Sequence, residues 1–338
     1  MVTPTYHFDP HTLREVADDP EAATNHANTL LAQYRAAQLS PEQQKALAPQ
    51  LIFWLRVSGQ YSRAEEVART SLKRAGGEDI LDDLDNPTAL VTVPPKLRRT
   101  ALRLAIALHA NSGDDPNKEA LAEDLFDACI PTQPDSLWLI KNPETTELES
   151  LSFALQHRAK FRFALEDYFG ALRDANLAYS IRTHIRAAND LQESSQFTVT
   201  TILNTIEEHI EQQVNAAGAS ITTEMFAAGD RSGYGAVSGT HRIGPWLFWF
   251  KGGRVKSAGL YLNDQLHGPW VWFRERGGLL QEGNFVESLQ EGPWVRYFAN
   301  GRILDRGTFV RGEKVGRWEY FNEDGSLKKA QTHKVKKK

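Results

Sequence analysis

Few side chains in this 338-residue sequence are spaced to do chemistry together. His7 and His11 lie four apart, the spacing that puts two imidazoles on one helix face, where they could hold a metal. Pro10 falls between them and argues against that helix, since proline removes a backbone donor and crowds the preceding turn. Cys129 is the only cysteine. Beside Leu125 and Phe126 on an apolar helix side it reads as a small buried hydrophobe, not a nucleophile. A single cysteine forms no internal disulfide, which fits a reducing cytoplasm. Glu207-Glu208-His209 reads as a solvated helix face, and His241 and His267 as hairpin ends that could touch a partner. There is no P-loop, no Gly-x-Gly-x-x-Gly after a strand, no Gly-x-Ser-x-Gly and no His-Glu-x-x-His. The expectation is a protein that is not an enzyme and has neither cofactor nor metal.

The residues with functional content are aromatic, and a repeat positions them. Between Gly235 and Gly325 one pattern returns every 24 residues. Gly244, Gly268, Gly292 and Gly316 mark one phase, and Trp246, Trp270, Trp294 and Trp318 follow two residues on. Gly253, Gly277, Gly301 and Gly325 mark a third, and Gly259, Gly283 and Gly307 a fourth, with Tyr261, Phe285 and Phe309 two residues later. Aromatic and β-branched runs such as Trp270-Val271-Trp272-Phe273 suit strands. Gly252-Gly253, Gly277-Gly278, Asn300-Gly301 and Asp324-Gly325 supply turns, so each repeat reads as one hairpin. Alternation puts Trp270 and Trp272 on one face, with Arg296 and Tyr320 in the same phase. Trp249, Phe273, Tyr297 and Phe321 form a second aromatic column on the other face. Both columns could be core. Alternatively one lines an open groove, where aromatics and arginine serve as interface anchors. The candidate partner-binding set is therefore Trp246, Trp249, Trp270, Trp272, Phe273, Trp294, Arg296, Tyr297, Trp318 and Tyr320.

This repeat of Gly-x-Tyr/Phe, Gly-Pro-Trp, Tyr/Phe-Phe and Gly resembles the MORN-repeat variant of bacterial antitoxin-like proteins, over about 100 residues. The fourth copy departs from it, with Arg317 in place of proline. The resemblance implies a sheet of stacked hairpins and a role in binding protein or lipid, an antitoxin or immunity protein being its sharpest form.

The first two thirds of the chain reads as helix. Ala22 to Gln38 is Ala- and Leu-rich. Ser40, Pro41 and Gln43 form a helix-start signature. Leu47, Leu51, Trp54 and Leu55 share one side of the following stretch, with a kink or break expected at Pro49. Gly59-x-Tyr61-x-x-Ala64 with Ala68, and again Tyr168, Ala171, Ala175 and Ala178, resemble tetratricopeptide repeats, which implies antiparallel helix pairs. Arg98 to Ala110 and Pro116 to Ala128 make a further pair. Val91 to Pro95, Pro131 to Pro134 and Asn142-Pro143 read as loops. The last helix is expected over Phe197 to Val214, with Ile202, Ile206 and Ile210 four apart and an unfavourable Thr198-Val199-Thr200-Thr201 start.

The expected fold is thus α+β: a tetratricopeptide-like helical array followed by an antiparallel sheet of MORN-like hairpins. Residues 1–20 form a loosely docked arm, 21–217 the helical domain, 229–327 the sheet and 328–338 a disordered basic tail. Charge divides the same way. Residues 1–228 carry 20 basic and 32 acidic side chains, and residues 229–338 carry 19 and 11. Without its tail the sheet is only mildly basic, so no nucleic-acid partner is expected. The N-terminus shows no secretory signal and no apolar run spans a membrane, so a cytoplasmic location is expected. The expected partner is another protein, a toxin in the sharpest form. The alternative is a peripheral membrane or scaffold protein whose sheet and basic tail bind anionic lipid.

Overall fold

A computed structural model describes residues 3–84, 86, 91–130 and 145–334. The chain forms two compact units, residues 1–132 and 133–338. The division falls inside the helical region, so the last three helices belong with the sheet and not with the helices before them.

The first unit opens on a two-stranded hairpin, β1 (Tyr6–Phe8) and β2 (Glu15–Ala17). Leu13 in its turn is fully buried, so the expected loose arm is a docked hairpin. His7 lies in β1 and His11 in the turn, with the His7 ring 2.7 Å from Asp18, so no helix face joins the two histidines. Six helices follow: α1 (Pro20–Arg35), α2 (Pro41–Val57), α3 (Tyr61–Arg74), α4 (Glu78–Leu84), α5 (Arg98–Ala110) and α6 (Pro116–Cys129). Starts are set by Asp or Ser caps followed by proline: Asp19-Pro20, Ser40-Pro41 and Asp115-Pro116. Ser40 and Gln43 satisfy each other's backbone N–H groups. Ser40→Ala is expected to destabilise the first unit by about 1 kcal/mol, read as a lower thermal midpoint.

Helix α2 runs through Pro49 without a break. The lost backbone bond is offset by the face that α2 buries, which includes Ala48, Leu51, Ile52, Trp54 and Leu55. Gly59, with φ 73°, turns the chain into α3, whose Ala64 and Ala68 are fully buried. The expected loop at Val91 to Pro95 leads into a 3-10 turn over Pro95–Leu97. The loops expected over 131–134 and 142–143 lie outside the described residues.

The second unit begins with α7 (Thr145–Ala164), α8 (Tyr168–His184) and α9 (Asn189–Ala217). Helix α9 starts well before Phe197. Its Thr198 is tolerated because its hydroxyl donates to Ser194 O and accepts from Gln156. Gly218, in the left-handed region, ends it. Ten antiparallel strands follow in simple sequence order: β3 (Ser220–Met225), β4 (Arg231–Ser238), β5 (His241–Trp249), β6 (Val255–Leu262), β7 (Gln265–Phe273), β8 (Leu279–Val286), β9 (Leu289–Tyr297), β10 (Ile303–Val310), β11 (Glu313–Phe321) and β12 (Leu327–His333). Strand β12 takes Lys328 to His333 into the sheet, which corrects the disordered tail expected from Lys328. Lys336, Lys337 and Lys338 lie outside the described residues.

Two kinds of turn alternate along the sheet. Five-residue loops at Phe226–Asp230, Phe250–Arg254, Arg274–Gly278, Phe298–Arg302 and Asn322–Ser326 repeat one pair of backbone bonds. Their fourth residues, from Gly229 to Gly325, all have positive φ. On the opposite rim, two-residue turns at Asn263-Asp264, Glu287-Ser288 and Arg311-Gly312 carry positive φ at both positions, as tight hairpins require.

Candidate functional site

The sheet has two faces of different construction. On one, Trp246, Trp270, Trp294 and Trp318 form a column, each no more than 3% exposed. They are buried by glycines on the neighbouring strand. A Cβ built on Gly235, Gly259, Gly283 or Gly307 would lie 2.0–2.3 Å from the facing Trp ring. Only glycine lets the indole lie flat on the adjacent backbone. The indole N–H groups of Trp246, Trp270 and Trp318 then donate to Ala236 O, Leu260 O and Thr308 O at 3.1, 2.9 and 3.0 Å. Phe285 and Phe309 complete the ladder edge-on, with ring centroids 4.9–5.7 Å from the tryptophans beside them.

Above this ladder lies an outer layer drawn from three positions that keep phase with the repeat but change chemistry. One position holds Phe248, Trp272, Arg296 and Tyr320. The second holds Arg242, Leu266, Gln290 and Lys314. The third holds Ser257, Gln281, Asp305 and Lys329. Pairing sets these positions against one another: Phe248 lies opposite Ser257, Trp272 opposite Gln281, Arg296 opposite Asp305 and Tyr320 opposite Lys329. Trp272, Arg296 and Tyr320 are half-buried. Arg242 is paired with Glu224 and lies over Trp246, 4.7 Å from the ring centroid. Arg296 is paired with the buried Asp305. Lys314 Nζ stands 3.8 Å from the Trp318 centroid and donates to Tyr320 Oη at 3.2 Å. Lys329 Nζ stands 4.6 Å from the Tyr320 centroid. Such cation–aromatic contacts hold the charges on the face while leaving them hydrated.

The second face is where α8 and α9 pack. Trp249 and Phe273, both buried, belong to it. Arg231 pairs with Glu207 of α9 at 2.6 Å, and Tyr234 donates to Glu211 at 3.1 Å. Burial, then that hydrogen bond, push the Tyr234 phenol up to about 12. Ser180 of α8 accepts from Gly278 N at 3.1 Å. Arg173 of α8 donates to Glu282 at 3.0 Å, and Glu282 also accepts from Tyr297. Burial, followed by the Glu282 charge, raises the Tyr297 phenol.

The ten candidate residues therefore separate into three groups. Trp246, Trp270, Trp294 and Trp318 build the ladder. Trp249, Phe273 and Tyr297 lie on the face that carries the helices. Trp272, Arg296 and Tyr320 alone lie in the outer layer. Arg242, Lys314 and Phe248 belong with them and were not singled out from sequence, and so does Lys329, which was read as part of a basic tail. The signal that finds them is the set of in-phase positions that vary, read beside those that stay constant.

Outside the sheet, burial pushes the Cys129 thiol up to about 12. A thiol reagent is expected to label native protein only as fast as it unfolds, and at once in guanidinium, followed by absorbance. Among the described residues no group of three or more His, Cys, Asp or Glu is placed to hold a metal, and no helix is long and apolar enough to cross a membrane. A scan against protein-family models finds no match, and no curated protein matches the sequence.

Proposed function

We infer that this chain is a non-enzymatic protein-interaction module whose outer layer on the tryptophan face docks a partner protein. The observation that carries this reading is the division of labour within the repeat. The Trp and Gly positions are constant and the Tyr261, Phe285 and Phe309 position stays aromatic, the rings forming the ladder and the glycines making room for them. The positions above them run through Phe, Trp, Arg and Tyr and through Arg, Leu, Gln and Lys, while the third, with Ser257 and Asp305 buried, supports them from below. Stability alone would be served by repeating one good residue at each; recognition of one partner needs a different residue at each rung. The resemblance to MORN repeats, and of the first helices to tetratricopeptide repeats, supports the same class. Occlusion of a toxin by this face, in a cytoplasm, is the sharpest form of the proposal.

The test is capture from the source cell's lysate with the full chain as bait, beside a Trp272→Ala/Tyr320→Ala bait of checked fold. One stoichiometric protein that is lost, or bound at least about tenfold more weakly, with the variant supports the reading. Equal capture by both baits moves the binding surface elsewhere. Capture of no protein, with salt-sensitive binding to anionic vesicles, replaces the reading by the lipid one.

A further inference from the structure

We propose that β12 is an open docking edge that takes an acidic, extended segment of the partner as an eleventh strand. The proposal rests on the interaction reading above and narrows the chemistry of the partner. Strand β12 is the last in the sheet order and pairs only with β11. Alternate residues along its seven-residue length therefore turn N–H and C=O groups outward, with no strand beside them among the described residues. It contains no proline, and all its residues but His333 are exposed.

Exposed edges normally carry lysines to keep other strands away, and Lys328 and Lys329 supply them here. Their placement changes what they exclude. Lys329 pairs opposite Tyr320, and its ammonium is drawn back over the Tyr320 ring. Lys314 on β11 is drawn back in the same way over Trp318. The Lys329 charge is thereby held over β11, one strand in from the edge, and does not cover the outward backbone groups of β12, so a strand is repelled or admitted by its charge and not by bulk. No carboxylate on β12 offsets these ammoniums. Glu319, central to β11, is already held by Arg306 and Arg317, at 2.8 and 3.0 Å. The other end of the sheet is different. Strand β3 has one charged residue, Glu224, and Arg242 neutralises it. The edge at β12 therefore disfavours basic strands and selects an acidic one, which gains backbone bonds and offsets Lys328 and Lys329.

The test uses the full chain and three fluorescent heptapeptides: alternating valine and glutamate, alternating valine and lysine, and the acidic peptide with a central proline. Anisotropy is read at 50 and 300 mM salt, and amide hydrogen exchange is read over Leu327 to His333. The acidic peptide is expected to bind at least about tenfold tighter than the basic one, to weaken at high salt and to slow exchange in β12. The proline peptide is expected not to bind. A Lys328→Glu/Lys329→Glu chain, substituted only at exposed positions and checked for an unchanged melt, is expected to reverse the preference toward the basic peptide. Binding of the acidic peptide without slowed exchange in β12 overturns strand addition, as does the absence of any charge preference or of any binding. If the charge-reversed chain still captures the lysate partner undiminished, strand addition fails while the interaction reading stands.

Discussion

Trp270→Ala is expected to destabilise the second unit by about 3–5 kcal/mol, the range for deleting a buried aromatic. Gly259→Ala is expected to cost about 1–3 kcal/mol, although nothing polar is lost, because the new methyl would stand 2.1 Å from the Trp270 ring. The two changes remove opposite sides of one contact. The double variant is therefore expected to cost little more than Trp270→Ala alone, since the methyl then enters the space the indole has left. Guanidinium unfolding followed by tryptophan fluorescence reads all three, because six of the eight tryptophans lie in β5 to β11. Strictly additive losses would show that the glycine phase serves the backbone and not the ring. The same cycle at Gly307 and Trp318 differs in context, since Lys314 also rests on that indole.

The repeat was legible because its constant positions are the ones with the strictest physical demands. Glycine under an indole and glycine at positive φ admit almost no substitute, so they recur and set the period. The five-residue loops were legible for the same reason. The two-residue turns on the other rim were not, because Asn263-Asp264 and Glu287-Ser288 take positive φ without any glycine, and Glu-Ser carries no turn signal at all. Pro49 misled in the opposite direction: a local signal was overridden by the buried face of α2. The assignment of the two faces could not be read from alternation alone, which says that Trp249 opposes Trp246 but not which side meets the helices. That is settled by polar partners far away in sequence, such as Glu207 with Arg231 and Arg173 with Glu282. The division of the helices between the two units was hidden too, because α8 and α9 join the sheet through contacts far apart in sequence. One such feature is wholly tertiary. Arg158, Arg162 and Arg173 look like ordinary helix-surface residues, yet they converge on one carboxylate.

That carboxylate is Asp174, and its loss is the other large expected effect. It is fully buried and accepts from Arg158 at 2.6 and 2.9 Å, from Arg162 at 3.1 Å and from Arg173 at 2.9 Å. Arg173 also reaches Glu282, so the cluster ties α7 and α8 to β8. Asp174→Leu is expected to destabilise the second unit by about 3–5 kcal/mol, chiefly by removing the carboxylate that the buried Arg158 guanidinium holds with two bonds. Arg158→Met added to Asp174→Leu is expected to recover much of that loss. Arg173 keeps Glu282 and Arg162 keeps Asp167 in that double variant. No recovery would mean that Asp174 acts through packing and not through charge. The pH dependence follows from the same geometry. Burial pushes the Asp174 carboxyl up, but the charges of Arg158, Arg173 and Arg162 outweigh burial and hold it at about 2, below the ordinary 3.8. A carboxyl depressed on folding contributes its full stability above the ordinary value and loses it as pH falls toward the folded one. Wild-type protein is therefore expected to lose about 2 kcal/mol through this group between about pH 4 and pH 2. The Asp174→Leu/Arg158→Met protein should lack that part of the slope, with urea unfolding at each pH as the measurement. An identical acid slope in both proteins would place the acid sensitivity elsewhere.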